Sequence, residues 1–207
     1  MTPPGPPQWL PEALADLLRR RVSVRRFAER PLDAAALDRV LWAAQGRLDG
    51  GARRTAPSAD GLYPLGLAVL ARNVDGLGQG CYLQHPFAGL EPVEAGPGPG
   101  RRVAEAAVGE QPWLFEAPAI VVVSGDLPAM LEHFADQQDD GRRGERYLAM
   151  EAGCAAHNAA LYAAALGLGS VLVGGFDDAL LSAALEGALE PGHVPLALLA
   201  VGHPHTG

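Results

Sequence analysis

Residues 144–175 constrain the fold more tightly than any other stretch. Gly144–Leu166 reads as one long helix, rich in Ala, with Gly153 inside it and Gly167 as its stop. A helix with so few bulky side chains lets another helix approach closely, so it belongs in a core or at an interface between two copies. Ser170–Val173 follows as a strand that runs straight into Gly174 and Gly175, and Asp177 then caps a further helix to about Ala188.

The rest of the chain fits that plan. Residues 1–8, with Pro3, Pro4, Pro6 and Pro7, read as a flexible arm, and residues 9–207 as a single domain. Helices are expected over Pro11–Arg21, Ala34–Gln45 (capped by Asp33, stopped by Gly46), Arg101–Val108 and Leu127–Ala135. Strands are expected at Leu65–Leu70, Cys81–Leu83, Ala119–Ser124 and Pro195–Val201, the third being a β-branched run after Pro118. Residues 47–62 and 86–100, dense in Gly and Pro, read as loops.

Composition excludes several functions. The formal charge of -8 leaves no broad basic surface for nucleic acid. All 16 basic residues are Arg, so neither a Schiff-base nor a general-base Lys is available. Cys81 and Cys154 lack metal-ligand spacing and read as free thiols of a cytoplasmic protein. No metal set emerges from the six His. The Pro-rich N-terminus does not read as a signal peptide, and no apolar run reaches membrane-spanning length. GxGxxG and GxxxxGK[ST] are both absent, which removes the usual dinucleotide and P-loop sites.

Four patches carry chemistry. In Arg21-Val22-Ser23-Val24-Arg25-Arg26-Phe27, an extended backbone would put residues 21, 23 and 25 on one face, a set of donors for a phosphate or an anionic ring. A solvated basic stretch at a helix end reads the same way. The loop Pro57-Ser58-Ala59-Asp60-Gly61-Leu62-Tyr63-Pro64 is small enough to bring backbone up to a ligand, and equally suits a plain turn. Val173-Gly174-Gly175 before a helix exposes backbone N–H groups that suit an anion or a carbonyl-bearing ring; a tight connection needs the same residues. Tyr147, Glu151, Cys154 and Asn158 share helical spacing and form a polar stripe, or a solvent-facing one.

Taken in order, Arg21/Ser23/Arg25/Phe27, Pro57–Pro64, Gly80-Cys81-Tyr82, Ala156-His157-Asn158, Leu166–Asp178 and Val201–Pro204 resemble the FMN-dependent nitroreductase superfamily, most of all its SagB-type dehydrogenase (McbC-like) branch. The match runs from about residue 14 to 204. The resemblance implies an α+β fold, a nitroreductase-like three-layer α/β/α sandwich with a central mixed, mainly antiparallel sheet, in an intertwined homodimer with FMN at the subunit interface. It places Arg21, Val22 and Ser23 at the FMN phosphate and ribityl chain, Arg25 at the N1/O2 edge of the ring, and Pro57 and Ser58 as the partner subunit's contribution. It places Val173, Gly174 and Gly175 near N5/O4 and Asn158 at the cofactor. A donor at N5 and a cation at N1/O2 favour the reduced, anionic flavin.

No separate catalytic side chain is implied, because the chemistry is the flavin's. The implied cycle is ping-pong, with NADH or NADPH as donor and a nitroaromatic, a quinone or another small molecule as acceptor. Three departures stand out. Val22 replaces a commonly polar residue, His157 stands where Gln is usual, and the C-terminal Lys or Arg grip on the phosphate is replaced by His203 and His205. Two alternatives remain: a SagB-type dehydrogenase acting on a peptide or biosynthetic substrate, and a flavin-binding protein without useful turnover. Azoline formation through a Lys–Tyr pair is disfavoured, since the chain has no Lys.

Overall fold

The computed structural model describes residues 12–85 and 89–205. The 1–8 arm and the ends of the chain lie outside the described residues. The elements are α1 (Glu12–Arg20), α2 (Ala34–Gln45), β1 (Arg47–Leu48), β2 (Arg53–Arg54), β3 (Leu65–Ala71), β4 (Gly80–His85), β5 (Gly89–Val93), α3 (Pro99–Ala106), α4 (Trp113–Glu116), β6 (Ala119–Asp126), α5 (Leu127–His133), α6 (Arg143–Ala165), β7 (Gly169–Val173), α7 (Asp178–Ala184) and β8 (His193–Gly202).

Six strands form one sheet in the order β5-β4-β3-β6-β8-β7, every neighbour antiparallel. Among the described residues, parallel contact is confined to the isolated bridges Ser23–Ser170 and Leu32–Val74. β1 and β2 pair apart from the sheet as a small hairpin.

The layering follows from period-2 alternation in strands that are apolar on both faces. Leu67 and Val69 of β3, Val121 and Val123 of β6, and Leu199 and Val201 of β8 pack with α2, α5 and α6. The residues between them, Ala68 and Leu70, Ile120 and Val122, Leu198 and Ala200, pack with α3, α4 and α7. The result is the expected three-layer sandwich. Side-chain caps start the helices: Asp33 accepts from Ala35 N–H (2.9 Å), Asp126 from Ala129 N–H (3.0 Å) and Asp177 from Leu180 N–H (2.9 Å). α6 begins against α5 so closely that a Cβ on Gly144 would lie 2.2 Å from the Met130 carbonyl oxygen.

Two expected loops hold more structure than their composition suggests. Within 86–100, Gly89–Val93 is a strand, β5, added to β4 with Pro92 opposite Tyr82. Pro survives there because β5 is an edge strand and its outward side needs no ladder donor. Within 47–62 lies the β1–β2 hairpin. No helix among the described residues is long and apolar enough to cross a membrane.

Candidate functional site

After α1 the chain runs along the start of β7. Ser23 bridges Ser170, and Val24 N–H donates to the Ser170 carbonyl (2.9 Å). The chain then turns across the end of β8: Phe27 pairs with Pro204, Ala28 N–H donates to the His203 carbonyl (2.9 Å), and His205 N–H donates to the Arg26 carbonyl (3.0 Å). Two contacts hold this course. Phe27 is buried, and Val24 lies so close over Gly169 that a Cβ there would come within 2.7 Å of three Val24 atoms.

Arg21 and Val22 line a cavity of about 300 Å³ with Gly167, Leu168 and Pro204. Arg25 and Ser23 are exposed, and Arg25 sits over the Trp113 ring at 5.5 Å. Among the described residues, no carboxylate pairs with Arg21, Arg25 or Arg26. Among the described residues the basic stretch is thus a row of guanidinium groups that no carboxylate neutralises.

At the other end of β7, Val173 is buried while Gly174 and Gly175 are exposed. Four residues of strand put this end roughly 13 Å from Gly169. The Gly175 carbonyl accepts from Val108 N–H (2.8 Å), and nothing stands within 4 Å of a Cβ on Gly174. The start of α7 does not add the anion-binding helix end that the glycine pair suggested, because Asp177 fills it with its own carboxylate. Exposed backbone at Gly174 and Gly175 is what remains for a ligand.

Pro57 and Ser58 lie elsewhere, on a loop pinned to α6. Asn158 Nδ2 donates to the Thr55 carbonyl (3.0 Å), Ala59 N–H donates to Glu151 Oε1 (2.8 Å), and Tyr63 N–H donates to Ser58 Oγ (2.8 Å). The Ser58 hydroxyl also bonds to Glu151. The polar stripe on α6 thus faces a loop rather than solvent at two of its four positions. Tyr147 instead donates to Gln137 Oε1 (2.8 Å), and Cys154 is exposed. The sequence placed Glu151 in a polar stripe but gave it no role. Its carboxyl is raised above the ordinary value by burial, against which the Ala59 and Ser58 bonds act.

Glu151, which holds the Ser58 loop, and Ala164, which borders Arg21, are both on α6. Thirteen residues of helix separate them, roughly 20 Å. One chain does not bring Ser58 to Arg21.

The two C-terminal His differ. His203 Nδ1 accepts from Arg30, and burial followed by the Arg30 charge lowers its pKa. A neutral His203 offers no cation to a phosphate; the charge at that spot is Arg30's. His205 is exposed and held by its backbone.

These features define a three-layer α/β/α sandwich with its basic segment at one sheet end, and comparison places it among known proteins. The nitroreductase family model matches residues 18–203. A nitroreductase homologue from Methanocaldococcus jannaschii is 33% identical over 193 residues, 91% of this chain and 90% of that protein. Among solved structures, a nitroreductase homologue from Ralstonia eutropha superposes with a TM-score of 0.73 at 26% identity, over 99% of this chain and 89% of that one. A chain of the Escherichia coli microcin synthetase McbBCD complex does so with 0.73 at 22% identity, over 100% and 78%, and shows the shared fold. The chain belongs to the nitroreductase family, and it is an oxidoreductase.

Proposed function

We propose that this chain binds FMN between two copies of itself and carries hydride equivalents from NADH or NADPH to a small acceptor such as a nitroaromatic or a quinone. The observation that carries the reading is the row Arg21, Ser23 and Arg25, without an anionic partner among the described residues, at one end of β7, with exposed Gly174 and Gly175 backbone at the other. That donor set suits a phosphate at one end and a carbonyl-bearing ring at the other. Bound FMN would supply two-electron chemistry. Arg21, Ser23 and the nearby Arg30 would hold its phosphate and ribityl chain. Arg25 would favour negative charge on the ring edge, and the glycine backbone would orient the ring.

A second copy supplies what one chain lacks. The Pro57–Ser58 loop belongs to the partner's cofactor in this reading, which explains why it is built so rigidly onto α6 and so far from Arg21. The outer faces of α6 and of the 21–24 segment support such a pairing, since Met150 is 62% and Val22 57% exposed and Gly153 meets nothing within 4 Å. The test is an absorption spectrum of the purified protein, followed by anaerobic addition of NADH and then NADPH. Flavin bands that bleach with either donor are expected. A colourless protein that takes up no added FMN would overturn the reading.

A further inference from the structure

A cavity of about 760 Å³ lies between the β1–β2 hairpin, Tyr63 and the start of β3. It shares no residue with the proposed flavin site. Its size is that of a small-molecule pocket.

Three observations give it chemistry. Arg47 and Arg54 are directly opposed across the hairpin and both line the cavity. Arg54 is fixed in place: its Nη1 donates to the Gln45 backbone carbonyl (3.3 Å), and its guanidinium lies 5.5 Å over the Tyr63 ring. Burial and then the Arg47 charge pull Arg54 below its ordinary pKa. Gln45 stands beside it, 3% exposed, and its Oε1 is buried without a hydrogen-bond partner. An unmet buried acceptor is costly and asks for a donor. Gln45 and Arg47 also border an adjoining hollow of about 470 Å³, so the space continues past them. Three acids line the same cavity: Glu190 pairs with His193 (3.4 Å) and its charge also acts on Arg54, Asp126 caps α5, and Glu132 is exposed.

We propose that this cavity binds a small carboxylic acid with an N–H or O–H group beside the carboxylate, an α-amino or α-hydroxy acid. The planar Arg54 fork takes the carboxylate with Arg47, the neighbouring donor meets Gln45 Oε1, and the body of the acid occupies the space along Tyr63 and Leu65. Because Tyr63 N–H is bonded to Ser58 Oγ, an occupant of this cavity bears on the loop that carries Ser58.

The test is a binding titration by protein NMR, without nicotinamide, using L-phenylalanine, L-phenyllactate, 3-phenylpropionate and L-phenylalaninamide. The first two should bind, 3-phenylpropionate should bind more weakly, and the amide should not bind. Arg54→Gln should weaken the acids by roughly tenfold or more. Gln45→Leu should remove the advantage of the first two over 3-phenylpropionate. The proposal is overturned if no acid binds the wild-type protein, if the amide binds as well as the acids, or if Arg54→Gln leaves their affinity unchanged. Flavin content, read separately by absorbance, should be the same in Arg54→Gln and wild type. Its loss in the variant would place Arg54 in the flavin site and overturn a separate acid site. Failure of acid binding with flavin retained would leave the proposed FMN function standing.

Discussion

At the scale of single residues, charge without a partner separates ligand-facing groups from structural ones. Arg21 makes no ion pair among the described residues, so Arg21→Ala should leave the thermal midpoint of the flavin-free protein unchanged and weaken FMN binding by roughly tenfold or more; fluorescence titration with FMN measures the second effect. Glu151 behaves in the opposite way. Its raised pKa means that the folded protein holds a proton the unfolded chain releases at lower pH. Its contribution is therefore fully present below the ordinary Glu value of about 4.3 and is lost as pH rises through the higher folded value. Glu151→Gln keeps an acceptor for Ala59 N–H and removes the titration. The stability of the variant, from urea unfolding at a series of pH values, should gain on wild type as pH rises from 4 toward 7. Neither role was legible from spacing alone. The α6 stripe marked Glu151 and Asn158 as polar, but their partners Ala59 and Thr55 are 92 and 103 residues away in the chain.

At the scale of elements, close backbone approach decides what can change. Gly144→Ala would drive a Cβ into the Met130 carbonyl and force α6 off α5. Overpacking of this kind costs about 1–3 kcal/mol, a fall of roughly 2–12 °C in the melting midpoint. Gly169→Ala acts on function as well as stability. It pushes on Val24 and so displaces the segment that carries Arg21, Ser23 and Arg25. FMN affinity should fall together with the midpoint, and adding FMN should restore less stability than it does in wild type. Helices with local signals were legible in advance. Asp33 caps α2, and the buried run of β6 reads from its own residues. β5 was not, because Gly89–Val93 is ordered by its ladder with β4 and carries no pattern of its own.

At the scale of the whole molecule, the proposed dimer and the flavin should come and go together. Cys81 is buried and its thiol is pushed up to about 11, chiefly by burial, so it should resist alkylation until the chain unfolds. Cys154 lies on the exposed face of α6 beside Gly153, where the proposed partner would sit. Its alkylation should be slow at high protein concentration and should speed up on dilution, in step with release of flavin fluorescence. Fast labelling at every concentration, with flavin retained, would refute that interface. By itself the sequence determined the mixture of helices and strands, the Asp33 and Asp177 caps and the candidate motifs, because these rest on periodicity and on residues a few positions apart; the layering was implied by the resemblance those motifs carry. Only the tertiary structure decided that Ser58 and Arg21 stand apart in one chain. It also decided that His203 faces Arg30 and that Glu151 holds the Ser58 loop. Each of those facts depends on which distant segments pack together, and packing is set by the burial of the whole sheet rather than by any local run of residues.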